Sequence, residues 1–227
     1  MQDLKLQKLI DREELYDLVR RERFARDRRR FGMMRECFHP EVHVSTSWYD
    51  GIGADAYVEA TRERMGRGGG GTHWVFPALA EVNGDRATVE SPALITSRTR
   101  LHGVEADFKV FCRFFSRAVR EGDDWKLFTF RVLFERDTLR PVDPDEALPV
   151  DREALSRLRP SYKHIAYVQQ SRGIAVNPDH LGDDRLDELE TFYAGERCWL
   201  SEGNGFLHAG GPDAQKAERA DRRPHNP

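Results

Sequence analysis

The chain has 227 residues, of which 39% are hydrophobic, enough for one hydrophobic core but not for two independent cores. Its 36 Lys and Arg residues and 39 Asp and Glu residues leave a formal net charge of −3 at pH 7. This near balance excludes bulk electrostatic attraction to nucleic acid or to an acidic membrane surface. The sequence contains no apolar run of the ~18 residues that a membrane span requires.

Three cysteines, Cys37, Cys112 and Cys198, lie far apart and form no CxxC motif. An odd and scattered set of cysteines favours buried thiols in a reducing compartment over a disulfide framework. The first ten residues also lack the apolar segment of a signal peptide. A cytoplasmic location is therefore expected.

The N-terminal part of the chain is predicted to be helical. Residues 7–31 carry apolar side chains near helical spacing and predict one long helix with Leu15, Leu18 and Phe24 on its inner face. Phe24 and Asp27 interrupt its basic run, residues 20–30, which is interpreted as a solvated helix face rather than a nucleic-acid-binding arm. A further helical turn, a strand over 42–48 and a helix over 55–65 are predicted next.

Two short motifs in this half suggest ligands and are interpreted otherwise. His39 and His43 stand four residues apart, but Pro40 and the β-branched residues beside it favour a strand over a helical metal-ligand pair. The run "GRGGGG", residues 66–71, lacks the Lys-Ser/Thr and the following helix of a phosphate-binding loop. We expect no metal, and we expect this run to form a mobile rim beside a pocket.

From His73 onward the pattern becomes that of long strands. "THWVFPALAEV" and "RATVESPALITSRT" flank Asn83-Gly84 and predict one hairpin, and "VEADFKVFCRFFSRAV" and "WKLFTFRVLFERD" predict a second. Helices followed by an antiparallel meander predict an α+β domain with its helices on one face of a curved sheet.

The C-terminal part divides into three segments. Residues 139–151 are rich in proline and acid and indicate a linker leaving the sheet, and two further helices are predicted after it. We expect a main domain over 1–145, a helical extension over 146–202 and a disordered tail over 203–227. Because the extension is too short for its own core, it is expected to dock on the main domain or on a neighbouring subunit.

Three stretches carry a resemblance to a known family: "FARDRRRFGMMRECFHPEVHVSTSW", "THWVFPALAEVNGDRATVES" and "GDDWKLFTFRVLFERD". Together they resemble the SnoaL-like members of the NTF2-like superfamily over roughly residues 8–145. The resemblance implies a cone-shaped α+β fold in which helices close a curved antiparallel sheet over a deep pocket. This superfamily hosts many chemistries and some non-enzymes, so the fold alone does not fix an activity.

The resemblance also implies a catalytic pair. In enzymes of the family, such as scytalone dehydratase, bile-acid dehydratase and hexachlorocyclohexane dehydrochlorinase, a His on the first long strand pairs with an Asp from the first helix. This implies His73 and Asp27, acting without metal or cofactor. Glu22 stands where some relatives have an assisting Tyr or Lys, and Arg131 lies near an arginine that closes the pocket in the dehydrochlorinase.

The chemistry of such a pair is independent of the family. A neutral imidazole accepts a proton near neutral pH, and a carboxylate on its other nitrogen orients the ring and stabilises the imidazolium. The alternative is that His73 caps a strand and Asp27 serves neighbouring arginines. Tyr49 and Arg131 are the expected stabilisers of an oxyanion, and the residues expected to bind substrate are Glu22, Trp48, Trp74 and Phe111.

These residues together predict a cofactor-independent lyase or isomerase of dehydratase or elimination type. Its partner would be a small apolar carbonyl or hydroxyl compound, for example aromatic, polyketide or steroid-like. A non-catalytic ligand-binding or oligomer-forming module and a polyketide cyclase are the alternatives. Because one face of the sheet needs cover, a homodimer or homotrimer is expected.

Overall fold

The fold is described over residues 2–202 by a computed structural model, so the predicted disordered tail lies outside the described residues. Within residues 2–202, six helices and seven strands alternate unevenly. In chain order they are α1 (Gln2–Asp27), α2 (Phe31–Glu36), β1 (Phe38–Ser45), β2 (Asp50–Ile52), α3 (Ala54–Gly66), β3 (Thr72–Val75), β4 (Leu79–Asn83), β5 (Arg86–Leu101), β6 (Val104–Glu121), β7 (Asp124–Pro141), α4 (Arg152–Ser156), α5 (Lys163–Gln170) and α6 (Leu186–Ser201).

The seven strands form one curved sheet in the order β2-β1-β7-β6-β5-β3, with β4 also paired to β5. Helices α1 and α3 pack on its concave side, which confirms the predicted α+β class. The long strands β5, β6 and β7 are antiparallel, whereas β1 runs parallel to β7 with Val44 opposite Phe130. A parallel pair needs a long crossover, and here the whole chain between the two strands supplies it.

Helix α1 differs from the prediction in length and in its buried face. It ends at Asp27 rather than at residue 31, because Arg29 adopts a φ of +56°. Leu15 is buried as expected, but Phe24 is 50% exposed. Arg23 and Arg26 are buried instead, so the interpretation of the basic run as a solvated face is wrong at these two positions.

The stretch predicted as one strand from residue 72 to 82 is two strands. Pro77 lies between β3 and β4, and each pairs with a different part of β5, so that His73 lies opposite Ile95. The first strand also lies earlier than predicted, over 38–45. Trp48 and Tyr49 follow it in a turn where the Thr46 amide donates to the Tyr49 carbonyl over 2.8 Å.

The extension after β7 packs on both faces of the sheet. From α5, Ile165 and Val168 join the main core on the concave side. Helix α6 covers part of the convex side, where Leu189 packs with Phe115 and Leu133. No helix within residues 2–202 combines the length and hydropathy needed to cross a bilayer.

A buried ion pair fixes α6 to the sheet. The Arg117 guanidinium of β6 donates to both carboxylate oxygens of Glu196, with Nε 2.6 Å from Oε2. Within the described chain, this part of the convex face is therefore covered by the chain's own helix. The expectation of a homodimer or homotrimer stays a prediction.

Candidate active site

His73 and Asp27 meet where the end of α1 crosses the start of β3. The Asp27 carboxylate accepts two hydrogen bonds from His73: from the backbone amide to Oδ2 and from the imidazole Nδ1 to Oδ1, both 2.7 Å long. A carboxylate so close to Nδ1 places the ring proton on that nitrogen. The lone pair is then on Nε2, which makes no hydrogen bond to any described residue.

The environment keeps the imidazole neutral. The His73 side chain is only 6% exposed, and burial together with the nearby Arg26 charge lowers its pKa to about 3. Burial acts to raise the pKa of Asp27, but the hydrogen bonds from His73 outweigh it and hold that pKa below its usual value. Across the physiological range, therefore, the pair consists of a neutral imidazole and an ionised carboxylate.

Two buried arginines of α1 accompany the pair. Arg26 Nη1 lies 3.2 Å from Asp27 Oδ1 and thus shares the carboxylate with His73. Arg23 pairs with the buried Glu22, donates to the Tyr57 hydroxyl over 3.4 Å, and lies 4.3 Å from the centre of the Phe130 ring. Glu22 therefore neutralises the charge of Arg23. It does not line the cavity beside His73.

His73 lies in the wall of a cavity of about 60 Å³ between the concave face of the sheet, α1, α3 and α5. The apolar part of the wall comes mainly from strands β5, β6 and β7. Its polar part includes four arginines as well as hydroxyl and amide groups. The lining residues are Arg23, Arg26, Thr46, Ser47, Trp48, Tyr57, Arg64, Gly70, Gly71, His73, Ile95, Phe108, Phe114, Phe130, Val132, Phe134, Ile165, Val168, Gln169 and Arg172.

The glycine run forms part of the cavity wall through Gly70 and Gly71. Gly70 adopts a φ of +140°, a conformation that L side chains rarely adopt. A Cβ on Gly71 would lie 2.9 Å from the Thr96 carbonyl oxygen, so the close approach to β5 requires glycine here. The Ser97 hydroxyl fixes the loop by donating to the Gly70 carbonyl over 2.7 Å.

Of the two neighbouring aromatic residues predicted for the site, Trp48 lines the cavity and Tyr49 does not. The Tyr49 ring packs 5.0 Å from that of Tyr57, which lines the cavity in its place. The turn after β1 directs the two consecutive side chains differently. Tyr57 itself is fully buried, and its hydroxyl accepts a hydrogen bond from Arg23.

Three other predicted residues lie away from the cavity. Arg131 and Phe111 lie on the convex side of the sheet, where Arg131 is 5.9 Å from the Phe192 ring and Phe111 is 4.2 Å from the Arg136 guanidinium. Trp74 is 58% exposed beside the inward-facing His73. Successive side chains of a strand point to opposite faces, and each of these three residues is one position from a cavity residue or a core residue.

The sequence did not single out several cavity residues: Arg23, Arg26, Tyr57, Arg64, Gln169 and Arg172. A signal for the first two does exist. Arg23, Arg26 and Asp27 have the i, i+3, i+4 spacing that places side chains on one helix face. Gln169 and Arg172 come from the extension, whose position on the sheet no local pattern indicates. Over residues 2–202, no three His, Cys, Asp or Glu side chains are grouped so as to hold a metal ion.

This fold and this site define a class of protein. The model of the SnoaL-like domain matches residues 7–131, more than half of the chain, and the protein belongs to that family. The resemblance of the sequence to this family is thereby confirmed. The match ends inside β7, so the C-terminal half of that strand and all of α4 to α6 lie beyond it.

Individual relatives agree with the family assignment. The chain is 27% identical over 201 residues to a PEP2-like protein of Fusarium vanettenii, covering 85% of this chain and 86% of the relative. It is also 27% identical over 200 residues to Pea pathogenicity protein 2 of the same fungus, covering 84% and 86%. These alignments reach well past the family domain, since they span most of each chain.

Among solved structures, a type 2 hexachlorocyclohexane dehydrochlorinase is similar to the chain with a TM-score of 0.52 and 13% identity, covering 65% of this chain and 99% of that one. A second structure of such a dehydrochlorinase also has a TM-score of 0.52, at 14% identity, with 64% and 99% covered. At such identities, the likeness concerns the fold alone.

Proposed function

We propose that this protein is a cofactor-independent lyase or isomerase in which His73, oriented by Asp27, removes a proton from carbon. The observation that carries the proposal is the pair of 2.7 Å hydrogen bonds from His73 to one carboxylate, beside a cavity that His73 itself lines. Nδ1 is occupied by Asp27, and Nε2 is the nitrogen left to accept the proton. The family and the dehydrochlorinase-like fold support the same class of reaction.

In the proposed reaction, the C–H bond next to a carbonyl breaks and its proton moves to His73 Nε2. The electron pair forms a C=C bond, and either a leaving group on the adjacent carbon departs with its own electron pair or the double bond shifts. The imidazolium then returns the proton to the departing group or to another carbon. Asp27 stabilises the imidazolium, as a buried carboxylate does in other His-based catalysts.

Charge developing on the substrate oxygen also needs a partner. Arg26 lines the cavity and carries a guanidinium next to the proposed catalytic pair. Arg26 would replace the predicted Tyr49 and Arg131 as the oxyanion partner. Preorganised donors of this kind contribute a few kcal/mol to catalysis.

The non-catalytic alternative makes a different structural demand. A binding module needs a cavity but does not need an imidazole whose tautomer is fixed by a carboxylate. Both His73 hydrogen bonds to Asp27 are charge-assisted and partly buried, an arrangement that costs desolvation and gives no contact to a ligand. The pair therefore favours the enzyme.

The test is a proton-transfer assay that detects turnover even when the product is unidentified. A panel of small ketones, hydroxyketones and aromatic carbonyl compounds is incubated with the protein in D₂O, and deuterium uptake at carbon is followed by NMR. For at least one compound we expect catalysed exchange that falls by about 10²- to 10⁴-fold in His73→Gln.

His43→Gln is the matched control. His43 also bonds to an aspartate, with Nε2 2.9 Å from Asp50 Oδ1, but it lies on the face of β1 opposite the buried Val42 and Val44. Its substitution should leave exchange unchanged. Full exchange by a folded His73→Gln protein, or no catalysed exchange with any compound, would overturn the proposal.

A further inference from the structure

The cavity carries more positive charge than its carboxylates balance. Of its four arginines, Arg23 pairs with Glu22, and Arg26 shares Asp27 with His73. Neither Arg64 nor Arg172 forms an ion pair with any carboxylate in the part of the chain that the structure describes. Two guanidinium groups in the cavity wall thus lack a counter-charge.

Arg64 is held in this position by its surroundings. It lies in the last turn of α3, half-buried, with its guanidinium 4.8 Å from the centre of the Trp48 ring. A Cβ on Gly69 would lie 2.7 Å from Arg64 Cγ, so glycine in the loop leaves the space that the arginine side chain occupies. The position is costly for a cation, because burial and the charges of Arg26 and Arg172 lower the pKa of Arg64 to about 10.

Arg172 comes from the other side of the cavity. It follows α5, and its guanidinium hydrogen-bonds to the Thr99 hydroxyl of β5. Its charge and that of Arg64 act on each other, and both residues line the cavity. Arg172 is exposed at the edge of the cavity and Arg64 is half-buried, so two segments far apart in sequence bring guanidinium groups without a carboxylate partner to one site.

A second, independent observation indicates a bound ligand. Gln169 is buried in the cavity wall, and its Nε2 donates to the Ser47 hydroxyl over 2.8 Å. Its Oε1 is buried without a hydrogen-bond partner among the described residues. Such an orphaned acceptor is unfavourable unless a ligand supplies a donor.

We propose that the substrate of this cavity is a compact apolar acid whose carboxylate is bound by Arg64 and Arg172 and whose hydroxyl donates to Gln169. This inference rests on the proposed function and narrows its substrate class. A carboxylate fits because the planar guanidinium binds it through two parallel hydrogen bonds, and the phenylalanines of the cavity wall suit an apolar body. The apolar compound expected from the sequence thus gains an acidic group.

The bound anion would also affect the catalytic base. The positive charge that lowers the pKa of His73 comes in part from Arg26, whose charge also acts on Arg64. Burial is the larger cause of the lowered pKa of His73 and remains, but a carboxylate bound among these arginines offsets the part that their charge causes. The base then becomes stronger when its substrate is present.

The test measures binding separately from turnover, by using the His73→Gln protein throughout. Tryptophan fluorescence, to which Trp48 of the cavity wall contributes, is titrated with lactate, 2-hydroxybutyrate and 3-hydroxybutyrate, each beside its own primary amide, and with inorganic phosphate. We expect at least one carboxylate to bind about tenfold or more tightly than its amide and than phosphate. The double variant Arg64→Met/Arg172→Met should remove this difference in affinity. The single variant Arg64→Lys should keep only part of it.

Arg67→Met is the control, because Arg67 lies just after α3, is exposed and pairs with Glu63 outside the cavity. It should leave the preference for the carboxylate intact. A further readout needs no ligand: removing the crowded charge in Arg64→Met should raise the melting temperature or leave it unchanged.

Equal binding of every acid and its amide, equal binding by phosphate, or an unchanged preference in the double variant would each overturn the inference. If His73→Gln binds the carboxylate but the wild-type protein catalyses no exchange, the proposed reaction is contradicted and the inferred carboxylate site is supported. If the wild-type protein catalyses exchange of neutral ketones but shows no preference for a carboxylate, the proposed reaction is supported and the inferred carboxylate site is contradicted.

Discussion

Asp27 holds both the backbone amide and the side chain of His73, each over 2.7 Å. One carboxylate therefore fixes the position of β3 at this residue as well as the tautomer of its imidazole. The structural and the chemical roles of Asp27 are carried by different oxygen atoms, Oδ2 and Oδ1. This division makes them separable by substitution.

Asp27→Asn should separate them. The amide oxygen still accepts from the His73 backbone, but the NH₂ group then faces Nδ1 and forces the ring proton onto Nε2, where no lone pair remains. We expect carbon-exchange activity to fall by about 10³-fold or more while the protein stays folded. ¹⁵N NMR of the imidazole would show the tautomer directly.

The control for this substitution is Asp50→Asn. Asp50 likewise forms hydrogen bonds with a histidine, His43, and with a neighbouring hydroxyl, that of Ser45. It should leave the exchange rate unchanged. An unchanged tautomer in Asp27→Asn would contradict the assignment of Nε2 as the base.

Stability should fall as the pH is lowered from 6.5 toward 4.5. The folded protein keeps His73 unprotonated because burial and Arg26 lower its pKa to about 3, and burial lowers that of His180 to about 4. The unfolded chain binds both protons near pH 6.5, so protonation favours unfolding below that pH. Each group contributes up to about 1.4 kcal/mol per pH unit.

Urea unfolding at several pH values measures this slope. His73→Gln should reduce the slope by about half in this window, since one of the two histidines remains. Staying above pH 4.5 keeps Asp27 out of the measurement, because its carboxylate loses stabilisation only at lower pH. The same slope in wild type and His73→Gln would show that His73 titrates normally.

The glycine run should tolerate substitution unevenly. Gly71→Ala puts a Cβ 2.9 Å from the Thr96 carbonyl oxygen and must push β3 away from β5 at the residue before Thr72 and His73. We expect a loss of about 1–3 kcal/mol of stability together with reduced exchange activity. Gly66→Ala, where a Cβ meets no atom within 4 Å and the residue is helical, should be neutral or stabilising by up to about 1 kcal/mol.

Comparing the two alanine variants by thermal unfolding and by deuterium exchange separates steric strain from a general effect of losing glycine. Equal behaviour would mean that the close approach of Gly71 to β5 is not required.

Glu196→Gln tests the contact between α6 and the sheet. It leaves the buried Arg117 guanidinium without its counter-charge, and loss of one partner of a buried ion pair costs about 3–5 kcal/mol. Urea unfolding measures the loss of stability. The control is Glu188→Gln, because Glu188 also lies on α6 but forms an exposed ion pair with Arg185, and its substitution should cost no more than about 1 kcal/mol. A small effect at Glu196 would mean that α6 separates from the sheet in solution.

The sequence allowed the fold and the contact between His73 and Asp27 to be predicted for different reasons. Alternation along the strands and turns such as Gly84 and Gly122, both at positive φ, indicate the long hairpins locally. The pairing of His73 with Asp27 depends on where a helix crosses the sheet, and only the family resemblance carried that information. The distance between the two residues is what the structure adds.

Trp48 was predicted and lines the cavity, and helical spacing offered a signal for Arg23 and Arg26, but the other site residues depend on the parity of a strand or on a distant packing contact. Arg131 is next to two cavity residues and still lies on the other face. Irregular pairing of β6 with β7, between Phe111 and Cys112 and again between Phe115 and Ala118, changes the alignment of the two strands without a visible signal in the sequence. The burial of Arg23 likewise depends on Glu22 and Phe130, and helical periodicity treats every arginine as exposed.

The cavity wall has two origins along the chain. His73 and Asp27, the proposed base and its aspartate, lie in the family domain, whereas Gln169 and Arg172 belong to the extension after β7. Under the proposed function, a change in the extension would alter the ligand-binding part of the wall and leave the proposed proton-transfer pair in place. Members of this lineage that share His73 and Asp27 but differ after β7 would then retain the reaction and act on different compounds.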